Sequence, residues 1–463
     1  MTKKNIIIGA GIAGLTAAFE LKKSGQDFLV LEKSCSAGGN WHSYSYKNSL
    51  YEFGPNSFMS NAPEFLEMIQ EAGFSSELIS KSFKDSMRYL YLDSRLIPIK
   101  PGPNLLFSGI LSLGDWLRAL GEYFVPPGSS PQVEETVHEF FTRRFGIAVA
   151  DRLVANALQG IWAGDTRQLS MKSAMPKLFK KEQEFGSVLR SMFNSPRTGS
   201  GRPLESFSFR EGMQSFCEHM VDYLGRDKFI FSADISCVSS LESAWRIDLA
   251  SGQTLQAKNL IFATKAFQAG DLLKSSLPKL SCELNKIYYA PVSLFAYSIK
   301  KSLLKPSAKK TMDAFGFISG DREHLTLGSI WSSQLFPERN LEDEYLMLSF
   351  MGGSKNPQVL DYDEESLWER LVNEQIQVLQ PYAVSQLCLG DFTKINFMNV
   401  PQAIPQYHLG HAELLERVQA LVAQTSNLYL LGNYIDGVSI ADTIRLSKKV
   451  MGGLVNAPQS CYD

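Results

Sequence analysis

Gly9, Gly11 and Gly14 stand in the order Gly-x-Gly-x-x-Gly, directly after the apolar run Asn5-Ile6-Ile7-Ile8 and directly before Leu15-Thr16-Ala17-Ala18-Phe19-Glu20-Leu21. A phosphate-binding turn needs that order. Gly9 makes the tight turn out of a buried strand, Gly11 leaves the backbone bare where a pyrophosphate approaches, and Gly14 lets the next helix pack on the strand. Ala10, Ile12 and Ala13 fill the gaps between the glycines, so the free N–H groups of a helix N-terminus face the anion. A second apolar run, Phe28-Leu29-Val30-Leu31, ends in Glu32 and Lys33. That position is close to the ~20-residue offset at which a carboxylate bonds a ribose hydroxyl, and an acid there disfavours a 2′-phosphate. A surface Glu after a buried strand is the plainer alternative; strand, glycines, helix, strand and acid in sequence favour a dinucleotide.

Two further segments bear on which dinucleotide. Gly38-Gly39-Asn40 lets the chain lie close against a cofactor, and Leu428-Tyr429-Leu430-Leu431 reads as a strand leading into Gly432-Asn433. Asp436-Gly437-Val438-Ser439-Ile440 then opens a helix running to about Val450, a second N-terminus available to a flavin ring or a pyrophosphate. Strands are expected around Phe229-Ile230-Phe231, in a hairpin through Trp245 to Leu249, and over Leu260-Ile261-Phe262-Ala263-Thr264. Three separated stretches building one lobe resemble the FAD-binding domain of amine-oxidase-like flavoproteins, in which Ile235 would lend its backbone to the adenine. Gly199-Ser200-Gly201 follows no strand and reads as a loop, so no second fingerprint for NAD(P)H is present. Electrons must then come from the substrate and leave to oxygen or a quinone, which predicts an oxidase. No Ser-His-Asp set or carboxylate pair stands out for acid–base work.

The elements that position these residues belong to a chain of 463 residues, too long for one core. Hydrophobic residues make up 44% and charged residues 20%, and the net charge is −2 with both signs scattered, so no nucleic-acid footprint is expected. Six cysteines without a Cys-x-x-Cys pair and six histidines without ligand spacing point to a reducing compartment and no metal. With Gly9 so near the start there is no room for a signal or transit peptide, and no apolar run reaches the ~18 residues of a membrane span. A cytoplasmic protein, at most resting on a membrane surface, is expected. Residues from about 90 to 205 look helical. Leu105, Leu106, Phe107, Ile110, Leu111, Leu113, Trp116, Leu117 and Leu120 recur at helix spacing, with Pro126-Pro127 closing the run. Pattern alone reads this as a helix packing inward; the alternative is an apolar surface that meets a bilayer or a greasy substrate. Residues 285–405 are richer in strands: Val292–Tyr297, Gly316–Ile318 and Tyr345–Phe350.

Five phrases, in order along nearly the whole chain, resemble the oxygen-dependent protoporphyrinogen IX oxidases. They are Glu52-Phe53-Gly54-Pro55-Asn56-Ser57-Phe58; Gly160-Ile161-Trp162-Ala163-Gly164-Asp165 with Leu169-Ser170-Met171-Lys172; Phe207-Ser208-Phe209-Arg210-Glu211-Gly212-Met213; Ile404-Pro405-Gln406-Tyr407-His408-Leu409-Gly410-His411; and Gly432 to Asp442. The resemblance implies a mixed α/β fold with a Rossmann-like FAD domain of the amine-oxidase/p-hydroxybenzoate-hydroxylase type. That domain would comprise residues 1–88, 206–284 and 406–463, with a helical, membrane-associated lobe at 89–205 and a β-rich substrate domain at 285–405. It implies non-covalent FAD on the residues above together with Gly54, Pro55, Asn56 and Ser57. The activity implied is six-electron oxidation of protoporphyrinogen IX by O₂ with release of H₂O₂, on a membrane surface, with ferrochelatase as receiver of the product. Arg88 would pair with a propionate, Gly160 would offer a backbone carbonyl to a pyrrole N–H, and Ile318 and Phe350 would sandwich the macrocycle. Without the resemblance, Arg88 is a surface salt bridge and Ile318 and Phe350 are plain core. The family usually has leucine or methionine at the last two positions. Coproporphyrinogen III, with four carboxylates, calls for more than one cation, so a single Arg88 favours protoporphyrinogen. Flavin amine oxidases carry a lysine where this chain has Phe350, and the cysteine some of them use to attach FAD has no counterpart between Gly432 and Val450. A desaturase-like enzyme and a flavoprotein that has lost turnover are the remaining readings.

Overall fold

The computed structural model describes residues 2–82, 87–99, 103–128, 134–194, 204–321 and 323–456. Gly199-Ser200-Gly201 lies outside the described residues.

Apolar runs buried on both faces make parallel strands. Thr2–Ile8 lies between Phe28–Leu31 and Thr254–Phe262, parallel to both. Phe229–Ile230 extends the sheet beyond Phe28–Leu31, and Leu428–Leu430 joins the C-terminal half of Thr254–Phe262. Trp245–Leu249 and Ile235–Ser240 add antiparallel to its N-terminal half, completing seven strands. Ile12–Lys23, Met213–Leu224 and Ile440–Asn456 bury one face of this sheet. Ala266–Leu273, Pro278–Leu284 and His411–Ala423 bury the other. One three-layer lobe is thus assembled from the chain's beginning, middle and end.

A second seven-stranded sheet runs in the order Phe392–Pro405, Tyr289–Lys300, Glu344–Gly352, Thr326–Ile330, Gly316–Ser319, Arg88–Leu92, Arg95–Ile99. Glu364–Leu379 packs over one face through Leu367, Trp368, Leu371 and Val372. The opposite face looks toward the hairpin Ser43–Tyr46/Ser49–Glu52 and the end of the helical lobe. Here the structure corrects the helical expectation for residues from about 90: Arg88–Leu92 and Arg95–Ile99 form a hairpin, and the first of these strands pairs parallel with Gly316–Ser319. Tyr89, Leu90, Tyr91 and Leu92 are all buried, so the sequence carries no alternation to mark them as a strand.

Helices follow over Leu113–Leu120, Val137–Phe145 and Ile147–Trp162, the last containing a π-helical stretch at Ala150–Val154. The inward reading of the apolar run is corrected as well. Ile110, Leu111 and Ala119 are buried, but Phe107, Leu113, Leu117, Leu120 and Phe124 face outward. Ser112 caps this helix with a reciprocal Ser112–Asp115 capping box, which fixes where the helix starts but not which stripe meets the core. Among the described residues no helix is long and apolar enough to cross a membrane.

Candidate active site

The glycine turn is built as its spacing requires. Gly9 has φ +103°, and a Cβ there would lie 2.7 Å from the Ala263 carbonyl oxygen. A Cβ on Gly14 would lie 1.9 Å from the Gly9 oxygen, so the strand-to-helix approach exists only with glycine. Gly11 is the N-cap of Ile12–Lys23 without a side-chain cap, and the first turn carries no acid, which leaves its N–H groups to an anion. The Glu32 carboxylate accepts the Ala10 N–H at 2.7 Å and the Ser34 N–H at 2.8 Å, clasping both the glycine turn and the chain beyond the second strand. Ile12 and Ala13 open the helix beside it.

Gly38 donates its N–H to the Ala10 oxygen, and a Cβ on Gly39 would come within 3.2 Å of the Gly11 Cα. Gly39 and Asn40 are exposed along this seam. Gly54 packs so closely on Asn40 that a Cβ would sit 2.1 Å from its oxygen. Asn56 donates to the Gly54 carbonyl, while its own Oδ1 is buried without a partner, an acceptor facing a place where a ligand donor fits. Pro55 and Ser57 flank it, half-buried. Gly432, at φ +150°, and Val438 lie on the loop after Leu428–Leu430. Ser439 accepts the Asp442 N–H at 3.1 Å at the start of Ile440–Asn456, the second helix N-terminus expected from sequence. Ile235 opens its strand at a register shift. Lys33 stands apart: its side chain is exposed and its partner is Asp234 at 3.9 Å. A bare backbone cradle, two helix N-termini, a ribose-distance acid and an orphaned buried acceptor fit a dinucleotide bearing a flavin.

The expected substrate residues converge on the second sheet. Leu90, Ile318, Gly328, Phe350, Leu294 and Met398 are successive cross-strand neighbours in one row. Ile318, Gly328 and Phe350 are half-exposed, while Phe317, Ser329, Ser349 and Met351 beside them are buried. The middle of that row is therefore only partly covered, while Leu90 and Leu294 within it are buried. Arg88 lies two residues before Leu90 on the same strand, hence on the same face, opposite Gly316, and its guanidinium sits 4.6 Å from the Phe315 ring centre. Burial lowers its pKa below the ordinary arginine value. Gly160, on the helix ending at Trp162, is exposed, yet a Cβ there would lie 2.9 Å from Ile318 Cδ1. Helix and sheet thus face each other across a gap only one glycine wide. Arg88, Ile318 and Phe350 thus lie on strands of one sheet, and Gly160 approaches that sheet at Ile318.

Three groups were not singled out by sequence. Gln159 is buried and its Nε2 donates to the Ser319 and Leu327 carbonyls at 2.8 and 3.1 Å, pinning the Gly160 helix on the sheet. Phe53, beside Gly54, joins the cluster that Phe350 packs against, and Val438 packs on the cluster of Leu90, Trp162 and Tyr407. These contacts pack the segments around Gly54 and Val438 against the second sheet and the helix ending at Trp162. Lys265 bonds the Gln402 oxygen at 2.7 Å across the two lobes, with its pKa lowered by burial. Gln159 directly precedes Gly160 and Phe53 lies within the Glu52–Phe58 phrase, whereas Lys265 carried no sequence signal. Among the described residues there is no cluster of metal-ligating side chains.

Fold and site together define a two-lobed flavoprotein oxidoreductase with FAD as its cofactor. The chain belongs to the flavin containing amine oxidoreductase family, which matches residues 12–447. Its curated relatives include protoporphyrinogen oxidase 1 of Arabidopsis thaliana chloroplasts, 30% identical over 95% of this chain and 86% of the relative. Coproporphyrinogen III oxidase of Bacillus subtilis is 24% identical over 96% of each chain. A crystal structure of a provisionally named protoporphyrinogen oxidase from Exiguobacterium sp. 255-15 superposes with a TM-score of 0.79 at 21% identity, covering 98% of both chains.

Proposed function

We propose that this enzyme oxidises protoporphyrinogen IX to protoporphyrin IX, and that the half-exposed Ile318–Gly328–Phe350 row with Arg88 on the same face of the sheet is the observation that carries the assignment. A flat, apolar macrocycle with carboxylates on one rim suits an apolar strip beside a cation. Arg88 binds a propionate through its planar fork, Gly160 faces a pyrrole N–H with its carbonyl, and Ile318 and Phe350 hold the ring. The named relatives act on porphyrinogens, which agrees with the reading. Bound FAD supplies a two-electron acceptor, so removing six hydrogens takes three turnovers, each closed by one O₂ becoming one H₂O₂. The chain itself binds, orients and keeps water out. The Bacillus subtilis relative favours a second reading in which the substrate is coproporphyrinogen III.

Purified protein absorbing near ~450 nm as a flavoprotein is given each porphyrinogen separately in air. Porphyrin fluorescence and H₂O₂ should rise with protoporphyrinogen IX. Preference for coproporphyrinogen III selects the second reading, and a yellow protein that oxidises neither sinks both. Arg88→Ala should raise KM by roughly ten- to a hundredfold with kcat little changed, the loss of a charge-assisted pair formed equally in substrate and transition state.

A peripheral membrane contact belongs to the same reading. Phe107 and Phe124 are 87% and 81% exposed beside Leu113, Leu117 and Leu120, an apolar patch of the kind that meets lipid or another protein. Leu113→Asp with Leu117→Asp should abolish sedimentation with phospholipid vesicles and leave detergent-solution activity intact; equal sedimentation of both proteins removes the membrane from the proposal. Ferrochelatase, as acceptor of the product, would dock beside the Ile318–Phe350 row.

A further inference from the structure

The strand Phe392–Pro405 ends in a segment, Gln406 to His411, that touches both walls of the site. Gln406 is buried, and its Nε2 donates to the carbonyl of Trp162 at 2.8 Å. Trp162 is the last residue of the helix carrying Gly160; its carbonyl is one of those a helix end leaves without a partner. The chain turns there through Ala163 at φ 47°, and a Cβ on the next residue, Gly164, would meet Gln406 Oε1 at 2.5 Å.

Tyr407 points the other way. Its hydroxyl donates to the Asn433 carbonyl at 2.7 Å and accepts the Gly437 N–H at 2.9 Å. Burial raises the phenol pKa, so the proton needed for that donation stays in place. His411 stacks on the Tyr407 ring at 4.1 Å with 12° between planes, and its Nε2 meets the Tyr434 carbonyl at 3.1 Å. A carbonyl only accepts, so the imidazole must donate from Nε2; burial depresses its pKa to about 4, and at neutral pH it is the uncharged Nε2–H tautomer. Two side chains therefore hold three backbone groups of the loop Asn433–Gly437. That loop has Gly437 at φ +86° and leads directly to Val438, Ser439 and Ile440.

We propose that Tyr407, braced by His411, is a positioning residue for the cofactor loop, and that Gln406 beside it ties the same point to the substrate wall. Adjacent residues then set the distance between flavin and macrocycle. The inference rests on the placement of FAD against residues 438–440 and is independent of which porphyrinogen is oxidised.

The test uses holoenzyme and a readout other than turnover: flavin fluorescence after dilution, as bound FAD is released. Tyr407→Phe keeps the ring and removes both hydrogen bonds, taking their partner from two part-buried backbone groups. Release should be about tenfold faster, with a shifted visible flavin band, because the two part-buried hydrogen bonds lost are together of about that size. Tyr429→Phe, a hydroxyl lost elsewhere in the same lobe, should release at the parent rate. If Tyr407→Phe is too unstable to purify, His411→Leu against His411→Gln serves instead: glutamine keeps a donor for the Tyr434 carbonyl and should release more slowly than leucine. Parent release and an unchanged spectrum in Tyr407→Phe, whatever its Tm, overturn the proposal, as do equal rates in the two His411 variants. Val438→Asp separates the layers. Fast release there with parent behaviour in Tyr407→Phe rejects the positioning role alone, whereas parent release in both rejects the placement of the flavin.

Discussion

Gly11→Val should give a folded protein that no longer holds flavin, while the smaller change Gly14→Ala should fail to fold. The two glycines are three residues apart and differ in what surrounds them. Gly11 has φ −74° and ψ 179°, open to any residue, and its Cβ would lie at an ordinary 3.8 Å from the Gly39 Cα. Nothing in the protein meets a Cβ there more closely than that. The isopropyl group would instead fill the channel between the first helix N-terminus and the Gly38-Gly39 seam, where the pyrophosphate must approach the backbone. Losing two charge-assisted hydrogen bonds from those N–H groups costs about 3–4 kcal/mol, roughly a hundred- to a thousandfold in FAD affinity. Gly14 has no such latitude, since its Cβ would fall 1.9 Å from a backbone oxygen that cannot rotate away. The helix must lift off the strand, with overpacking of at least a few kcal/mol spread through the core of Leu15, Phe19 and Ile7. Flavin content by absorbance and melting of the flavin-free protein check both. Stoichiometric flavin in Gly11→Val would mean that the pyrophosphate does not cross this turn.

The contrast explains what the sequence made legible. The glycine turn, Glu32 and the helix after Ser439 depend on contacts within a few dozen residues or on backbone conformation, and such signals survive in a string of letters. The strands Thr2–Ile8 and Phe28–Leu31 were legible from the same local runs, though not their order in the sheet. The hairpin Arg88–Leu92/Arg95–Ile99 did not, because Tyr89–Leu92 is buried on both faces and its parallel neighbour Gly316–Ser319 is more than two hundred residues away. Periodicity found the Leu113–Leu120 helix but could not orient it: a 3.6-residue repeat reports a stripe and is silent on whether core or surroundings receive it. Arg88, Gly160, Ile318 and Phe350 were reachable only by family resemblance. The shared sheet of Arg88, Ile318 and Phe350 depends on cross-strand register, which leaves no local pattern. Tyr407 and Gln406 were legible as part of a phrase, yet their partners Asn433, Gly437 and Trp162 are visible only in three dimensions.

Gly160 offers the sharpest separation between stability and chemistry. Alanine there should leave Tm unchanged or raise it, since a glycine inside a helix is about 1 kcal/mol worse than alanine and the obstructing atom is the far end of the Ile318 side chain, able to rotate. Leucine should also fold, because Gly160 is exposed and the bulk has somewhere to go. That place is the open space beside the Gly160–Ile318 contact, where the macrocycle would lie. Filling it by several methylenes should lower kcat/KM by roughly two orders of magnitude, about 3 kcal/mol of lost transition-state binding, with flavin content and spectrum unchanged. The partner residue supplies the decisive comparison. Ile318→Ala removes the group Gly160 approaches, so Gly160→Ala in that background should cost far less activity than it does in the parent, a coupling expected of facing walls and absent between independent sites. If Gly160→Leu instead lowers Tm by many degrees while kcat/KM per folded molecule holds, the contact with Ile318 is core packing and the macrocycle binds elsewhere.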